Sequence, residues 1–293
     1  MKKPKNPIVP GWYADPEARF YEGKYYIYVT RSFTDYKAQM NLDAFSSVDG
    51  EHWEKHEGII QMEDFPWVWR AVWAPTIIEK NGKYFLIFAV NDIQSDAEEG
   101  GLIIAASDSP AGPFTKWMDG HLIDRFINGA QPIDAHLFKD DDGTVYLYYG
   151  GWKHCNVAIM NEEMNGFVPM ADGSIFKEIT PDGYVEGPCM LKRNGVYHFM
   201  WSEGNWGDGS YRVRTAVCET PFAVTGTPYT ILSAQEGVAE GPGHHGFLQL
   251  PGTDEWKIVY HRRNIGDKEA GNRMLCIDDL LFDGDRIEPV LMT

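Results

Sequence analysis

The chain has 293 residues, 43% hydrophobic and 14% aromatic, enough for a large core and too apolar for a disordered chain. Its net charge of −17, from 43 acidic against 26 basic residues, repels phosphate backbones and anionic lipid. Nucleic acid and membrane surfaces are therefore excluded as partners, and a neutral ligand or a bound cation fits better.

The N-terminal "MKKPKNPIVPGWY" holds no apolar run of signal-peptide length, so a cytoplasmic location is expected. No stretch approaches the roughly 20 apolar residues of a membrane span. The next stretch is "YADPEARF", then a turn at "EGK" and the strand-like "KYYIYV". The same order returns along the chain. Ala74-Pro75 precedes "NGKYFLIFAV", Asp134 precedes "DDDGTVYLYYG", Glu186 precedes "RNGVYHFMW", and a looser copy reads "GPGHHGFLQLPGTDEWKIVYH". Each reads as strand, tight turn, strand, with turn residues that tolerate positive φ. The second strand of each pair is apolar on both faces, as a strand buried between neighbouring sheets should be.

A second module follows each pair: "AFSSVDGEHWEKH", "AASDSPAGPFTKW", "AIMNEEMNGFVPM", "AVCETPFAVTG" and "CIDDLLFDGDRIEP". These read as two further strands around an Asp, Gly or Pro turn. The markers at 15, 74, 134, 186 and 244 are spaced by 59, 60, 52 and 58 residues. Five four-stranded units without a long helix predict an all-β fold, a five-bladed β-propeller forming one domain over residues 1–293. A β-sandwich would not explain five copies of one turn. The four cysteines share no CxxC spacing and read as reduced core thiols. The segment after "NPIVPG" is expected to pair with the terminal "RIEPVLMT" and close the ring.

In a propeller the innermost strands line the axis, so equivalent repeat positions converge there. Those positions are Asp15, Ala74 with Trp73, Asp134, Glu186 and the His244/His245 pair. Each acid alone could be a turn or strand-end residue. Three together repel one another, a cost with no structural return, and that points to a functional site. Glycoside hydrolysis needs such a set: a protonated acid at the leaving oxygen and a carboxylate that activates water. Asp134 would keep negative charge near Glu186 and hold it protonated. His244 could hold a mostly hydrated Ca²⁺ through one ring nitrogen. Trp73 could stack on a sugar face or plug the channel. His245 is a further candidate for sugar contact, with Trp12, Trp69 and Trp206 weaker. Arg263, or Arg262 beside it, could reach sugar hydroxyls.

At these residues the chain resembles glycoside hydrolase family 43. The resemblance is carried in order by "YADPEARF", "VWAPTIIEKNGKYFLIF", "QPIDAHLFKDDDGTVYLYYG", "YVEGPCMLKRNGVYHFMWS", "GPGHHGF" and "IVYHRR", over nearly the whole chain. It implies a five-bladed propeller that hydrolyses with inversion. Asp15 then matches the general base, Asp134 the pKa modulator and Glu186 the general acid. His244 matches a histidine near a central cation, often calcium, and Arg263 a substrate-contacting arginine. Members act mainly on α-L-arabinofuranosides, β-D-xylosides and arabinans. The chain stops soon after its fifth repeat, without the C-terminal β-sandwich of many β-xylosidases. The resemblance therefore implies an α-L-arabinofuranosidase that removes side chains from arabinoxylan- or arabinan-derived oligosaccharides. β-Xylosidase, arabinanase and a non-catalytic carbohydrate-binding propeller are the alternatives. Retaining fructosidases share the propeller but carry Asn-Asp-Pro and Arg-Asp-Pro, where this chain has "ADP" and "IDA".

Overall fold

The computed structural model describes residues 5–293. Among the described residues five antiparallel sheets of three to five strands follow one another in the chain, with a two-stranded hairpin of Phe282–Asp283 and Arg286–Ile287 after the last. The first blade holds Tyr13–Tyr21, Lys24–Arg31, Leu42–Ser47 and Glu54–His56, and the second Trp73–Lys80, Lys83–Val90, Gly101–Ser107 and Thr115–Lys116. The third is built on His136–Lys139, Val145–Tyr149 and Asn156–Met160, and the fourth on Glu186–Arg193, Val196–Glu203 and Arg212–Thr220. The fifth has Glu240–Gln249, Trp256–Arg263 and Met274–Leu280. Each innermost strand touches the innermost strand of the next blade, and the fifth touches the first, so the ring is closed. It is a five-bladed β-propeller. Among the described residues there is no α-helix, only two 3-10 turns at Tyr36–Ala38 and Met62–Asp64.

Turn chemistry sets the hairpins. Glu22-Gly23, Asn81-Gly82 and Asn194-Gly195 each have both residues at positive φ, the two-residue turn whose twist matches paired strands. The blades then stack through alternating side chains. In Lys83–Val90, Tyr84, Leu86, Phe88 and Val90 pack toward the first blade, whereas Phe85, Ile87 and Ala89 pack toward the third. That division explains a strand apolar on both faces. All four cysteines are free and buried.

Ring closure differs from the expectation. Ile8 N–H donates to Leu275 O at 3.0 Å, and Asn6 bonds Ile277 through both its amide nitrogen and its oxygen. The N-terminal segment thus lies along Met274–Leu280, at the edge that a fourth strand fills in the first two blades. "RIEPVLMT" instead docks across the fourth and fifth blades, with Val290 N–H on Ile231 O and Met292 N–H on Gln235. The two termini meet in one bond, Asn6 Nδ2 to Thr293 Oγ1 at 3.1 Å.

The innermost strands all start on one face of the ring, and the loops joining second to third strands return to it. Near the start the register slips in four blades, between Ala14 and Glu17, Trp73 and Thr76, and Glu186 and Cys189, with two slips in Glu240–Gln249. The residue at this place has positive φ in every blade, including the third, where it lies just ahead of His136–Lys139: Asp15 (51°), Ala74 (46°), Asp134 (55°), Gly187 (61°) and His244 (33°). Such bulges turn a side chain out of the ladder and onto the axis.

Candidate active site

A pocket on that face is lined by Asp15, Tyr36, Trp73, Ile133, Asp134, Glu186, Trp206, His244 and Arg273. Asp15, Asp134, Glu186 and His244 arrive on inner strands of four blades. Asp15 sits in the bulge itself, and Asp134 takes the same positive-φ place just ahead of its strand. Glu186 does not: the bulged residue of its blade is Gly187, and Glu186 sits one place earlier, in the register of Trp73 and Ala14. The fourth blade therefore sends its acid from the neighbouring position.

The three carboxyls stand in different electrostatic states. Burial pushes Asp15 up, but Arg273, His244, His261 and Thr30 outweigh it and hold the group below its ordinary value. Arg273 Nη1 lies 3.3 Å from Asp15 Oδ1, and His244 Nδ1 3.4 Å from the same oxygen. Burial and then the charge of Asp15 push Asp134 well above the ordinary range, although it accepts Gly187 N–H at 3.0 Å. Burial, followed by Asp134, pushes Glu186 up to about 7, and a hydrogen bond from Tyr211 pulls it part of the way back. A carboxylate kept ionised opposite a carboxyl kept protonated is the pairing that acid–base hydrolysis uses.

Trp73 walls the pocket edge-on to Tyr36, ring centroids 4.8 Å apart, and its Nε1 donates to Gln39. Trp206 lies beneath the Arg273 guanidinium at 5.1 Å. Three residues fall elsewhere. Arg263 is 2% exposed, pairs with Glu240 at 3.2 Å and does not line the pocket. Arg262 is also buried and faces Tyr260. Alternation along Trp256–Arg263 sends the two side chains to opposite faces of the fifth blade, and both faces are covered. His245 is buried against Met200, with Nε2 3.4 Å from Sδ, and burial lowers its pKa to about 3. It is a packed neutral imidazole rather than a pocket residue. Trp12 and Trp69 are partly exposed but do not line the pocket.

The arginine that does reach the pocket is Arg273, unread in the sequence together with Tyr36, Ile133, Tyr211 and His261. Arg273 and Tyr36 come from or beside loops outside the repeat, where periodicity carries no signal.

Calcium was expected at His244. Its Nδ1 faces two carboxylates, 3.4 Å from Asp15 Oδ1 and 3.3 Å from Asp134 Oδ2. Among the described residues no three His, Cys, Asp or Glu side chains are grouped as metal ligands. Calcium takes 6–8 oxygens at about 2.3–2.6 Å, so this chain supplies no calcium cage and water would have to provide nearly all ligands.

Fold and site together define a propeller with a glycosidase-type carboxylate set on its axis. The family model described as Glycosyl hydrolases family 43 matches residues 4–287, and the chain belongs to that family. It is 40% identical to a beta-D-galactofuranosidase of Aspergillus niger, over 99% of this chain and 86% of that protein. It is 27% identical to a beta-xylosidase of Xylanibacter ruminicola over 93% of this chain and 94% of that protein. Among solved structures, an alpha-L-arabinofuranosidase of Clostridium thermocellum superposes with a TM-score of 0.77 at 25% identity, covering 96% of this chain and 94% of that one.

Proposed function

We propose that the protein is an inverting exo-glycosidase that removes a terminal furanose from short plant- or microbe-derived oligosaccharides, with α-L-arabinofuranosides and β-D-galactofuranosides as the leading substrates. The observation that carries this is the opposed state of two carboxyls around one pocket. Asp15 is held ionised by Arg273, and Glu186 is pushed up to about 7 by burial and Asp134.

Glu186 gives its proton to the glycosidic oxygen as the bond to C1 breaks. Asp15 takes a proton from the water that attacks C1 from the opposite face. The products are the free sugar of inverted configuration and the shortened alcohol. Glu186 is left ionised and Asp15 protonated, and exchange with solvent resets both. Asp134 holds Gly187, and with it the start of the Glu186 strand, while raising the acid's pKa. Tyr36, Trp73 and Trp206 give the pocket aromatic walls, which suits one sugar ring entering end-on.

The furanose preference replaces a purely arabinose reading because of the relative in Aspergillus niger. The two furanosides share a ring configuration and differ in the arm on C4, which is one hydroxymethyl in arabinose and a longer diol in galactofuranose. A β-D-xylosidase is the second reading, favoured by the relative in Xylanibacter ruminicola. Arabinoxylan- and arabinan-derived oligosaccharides, encountered in the cytoplasm, belong to the proposal as natural substrates.

The test is hydrolysis of aryl α-L-arabinofuranoside, β-D-galactofuranoside and β-D-xylopyranoside side by side, with the first anomer formed read by NMR. Cleavage of a furanoside with inversion, lost in Asp15→Ala and Glu186→Ala, supports the reading. Preference for the xyloside selects the second, and a retained anomer sinks the mechanism. A hydrated Ca²⁺ at His244 is proposed beside these roles, and no step is routed through it. Calorimetric titration of chelator-treated protein with CaCl₂ tests it, and binding unchanged in His244→Ala removes it.

A further inference from the structure

Behind Glu186 lie two buried hydroxyls, those of Ser202 and Tyr211. His244 N–H donates to Ser202 Oγ at 2.9 Å. A backbone amide can only donate, so Ser202 accepts there and keeps its own proton to give. Burial raises the Tyr211 phenol well above its ordinary range, and the Ser202 hydroxyl offsets part of that rise. Tyr211 Oη then donates to Glu186 Oε1 at 2.8 Å. Both side chains are buried, so water does not compete for the Tyr211 proton.

The ring of Tyr211 is held from two sides. His261, fully buried, stacks on it with centroids 5.8 Å apart and planes 8° from parallel. His261 Nδ1 accepts Asp15 N–H at 3.2 Å, so the same stack steadies the backbone of Asp15. On the other side is Gly243, where an added Cβ would stand 2.1 Å from Tyr211 Cε1. That contact explains the glycine before His244 in "GPGHH".

We propose that Tyr211 is a positioning residue for Glu186: by donating into Oε1 it confines the acid's proton to Oε2, the oxygen left free for the leaving group. The inference rests on Glu186 being the general acid. A carboxylic acid that loses this donor can carry its proton on either oxygen and rotate, so fewer encounters present it to the glycosidic oxygen.

The experiment compares two substrates of the same sugar in Tyr211→Phe: a p-nitrophenyl glycoside, whose leaving group needs little protonation, and an alkyl glycoside or oligosaccharide, whose leaving group needs it fully. Phenylalanine keeps the ring, the stack on His261 and the fit over Gly243. The expected result is a fall in kcat of about tenfold or more on the alkyl glycoside, with the p-nitrophenyl substrate within about threefold of wild type. Ser202→Ala should give the same split in weaker form. Equal losses on both substrates, or none on either, would overturn the proposal. Glu186→Gln is run alongside. If it shows no leaving-group dependence, the assignment of Glu186 has failed rather than the role of Tyr211.

Discussion

Arg273 Nη1 meets Asp15 Oδ1 at 3.3 Å although 258 residues separate them in sequence. The guanidinium is fixed twice more, by Nε on Ser32 Oγ at 2.9 Å and by the face of Trp206. The pair joins the first innermost strand to the end of the fifth blade's last long loop, so the base acquires its counter-charge only once the ring has closed.

Arg273→Met should therefore weaken the base. Asp15 is depressed below its ordinary value, with Arg273 the largest of the opposing causes after burial. Without that charge its pKa rises, and the acidic limb of the kcat/KM profile moves to higher pH. Activity at the optimum should fall by roughly 10²-fold, within the usual worth of a positioned base. An acidic limb that does not move would show that Asp15 is held by its other neighbours.

The wild-type profile follows from the same two groups. Glu186 must be protonated to act, and its pKa is raised to about 7, so activity is present below that value and lost as pH rises through it. Asp15 must be ionised, and its pKa is lowered from 3.8, so the acidic limb lies below that of an ordinary aspartate. The kcat/KM curve should be a broad bell with its alkaline limb near pH 7. An alkaline limb above about 9 would point to a different acid.

Asp134→Asn separates placement from charge. An asparagine oxygen can still accept Gly187 N–H, so the start of the fourth blade keeps its anchor. The negative charge that helps raise Glu186 is gone. The alkaline limb should shift down, by about one pH unit for each 1.4 kcal/mol of lost interaction. If kcat falls with no shift, Asp134 acts on the substrate and not through Glu186.

The architecture was legible because its cause is local and repeated. Hairpins such as "EGK", "NGK" and "RNG" state their turn type, and strands such as "KYFLIFAV" state that both faces are covered. The acids were legible because the repeat places them, with one slip: Glu186 was read as the axial residue of its blade, where the chain places Gly187. The hairpin glycines carried that signal. Asp15 and Ala74 lie 8 residues before theirs, as does Gly187, whereas Glu186 lies 9 before; Asp134 also lies 9 before Gly143, but across a longer turn. Arg273 and Tyr36 were not legible, since their places depend on loop paths with no counterpart in other blades. "YHRR" misled because two adjacent arginines near a strand end look exposed, yet both are buried within the fifth blade and Arg263 has Glu240 as its partner.

Closure of the ring offers a separate test of stability. Asn6 Nδ2 reaches Ile277 O at 2.9 Å and Asp278 Oδ2 at 3.0 Å, and its oxygen accepts Ile277 N–H at 2.9 Å. Removing that side chain leaves a partly buried amide and carbonyl unpaired, which costs about 1–3 kcal/mol. Asn6→Ala should lower the urea midpoint while leaving kcat at low temperature near wild type, because the pocket lies on other segments. Deleting residues 286–293 should be worse for a different reason. It strips Ile287 and Met292, both buried, from the packing of the fourth and fifth blades. If the deletion is tolerated and Asn6→Ala is not, the N-terminal segment alone closes the propeller. If both are tolerated, contacts among the innermost strands suffice to hold the ring shut.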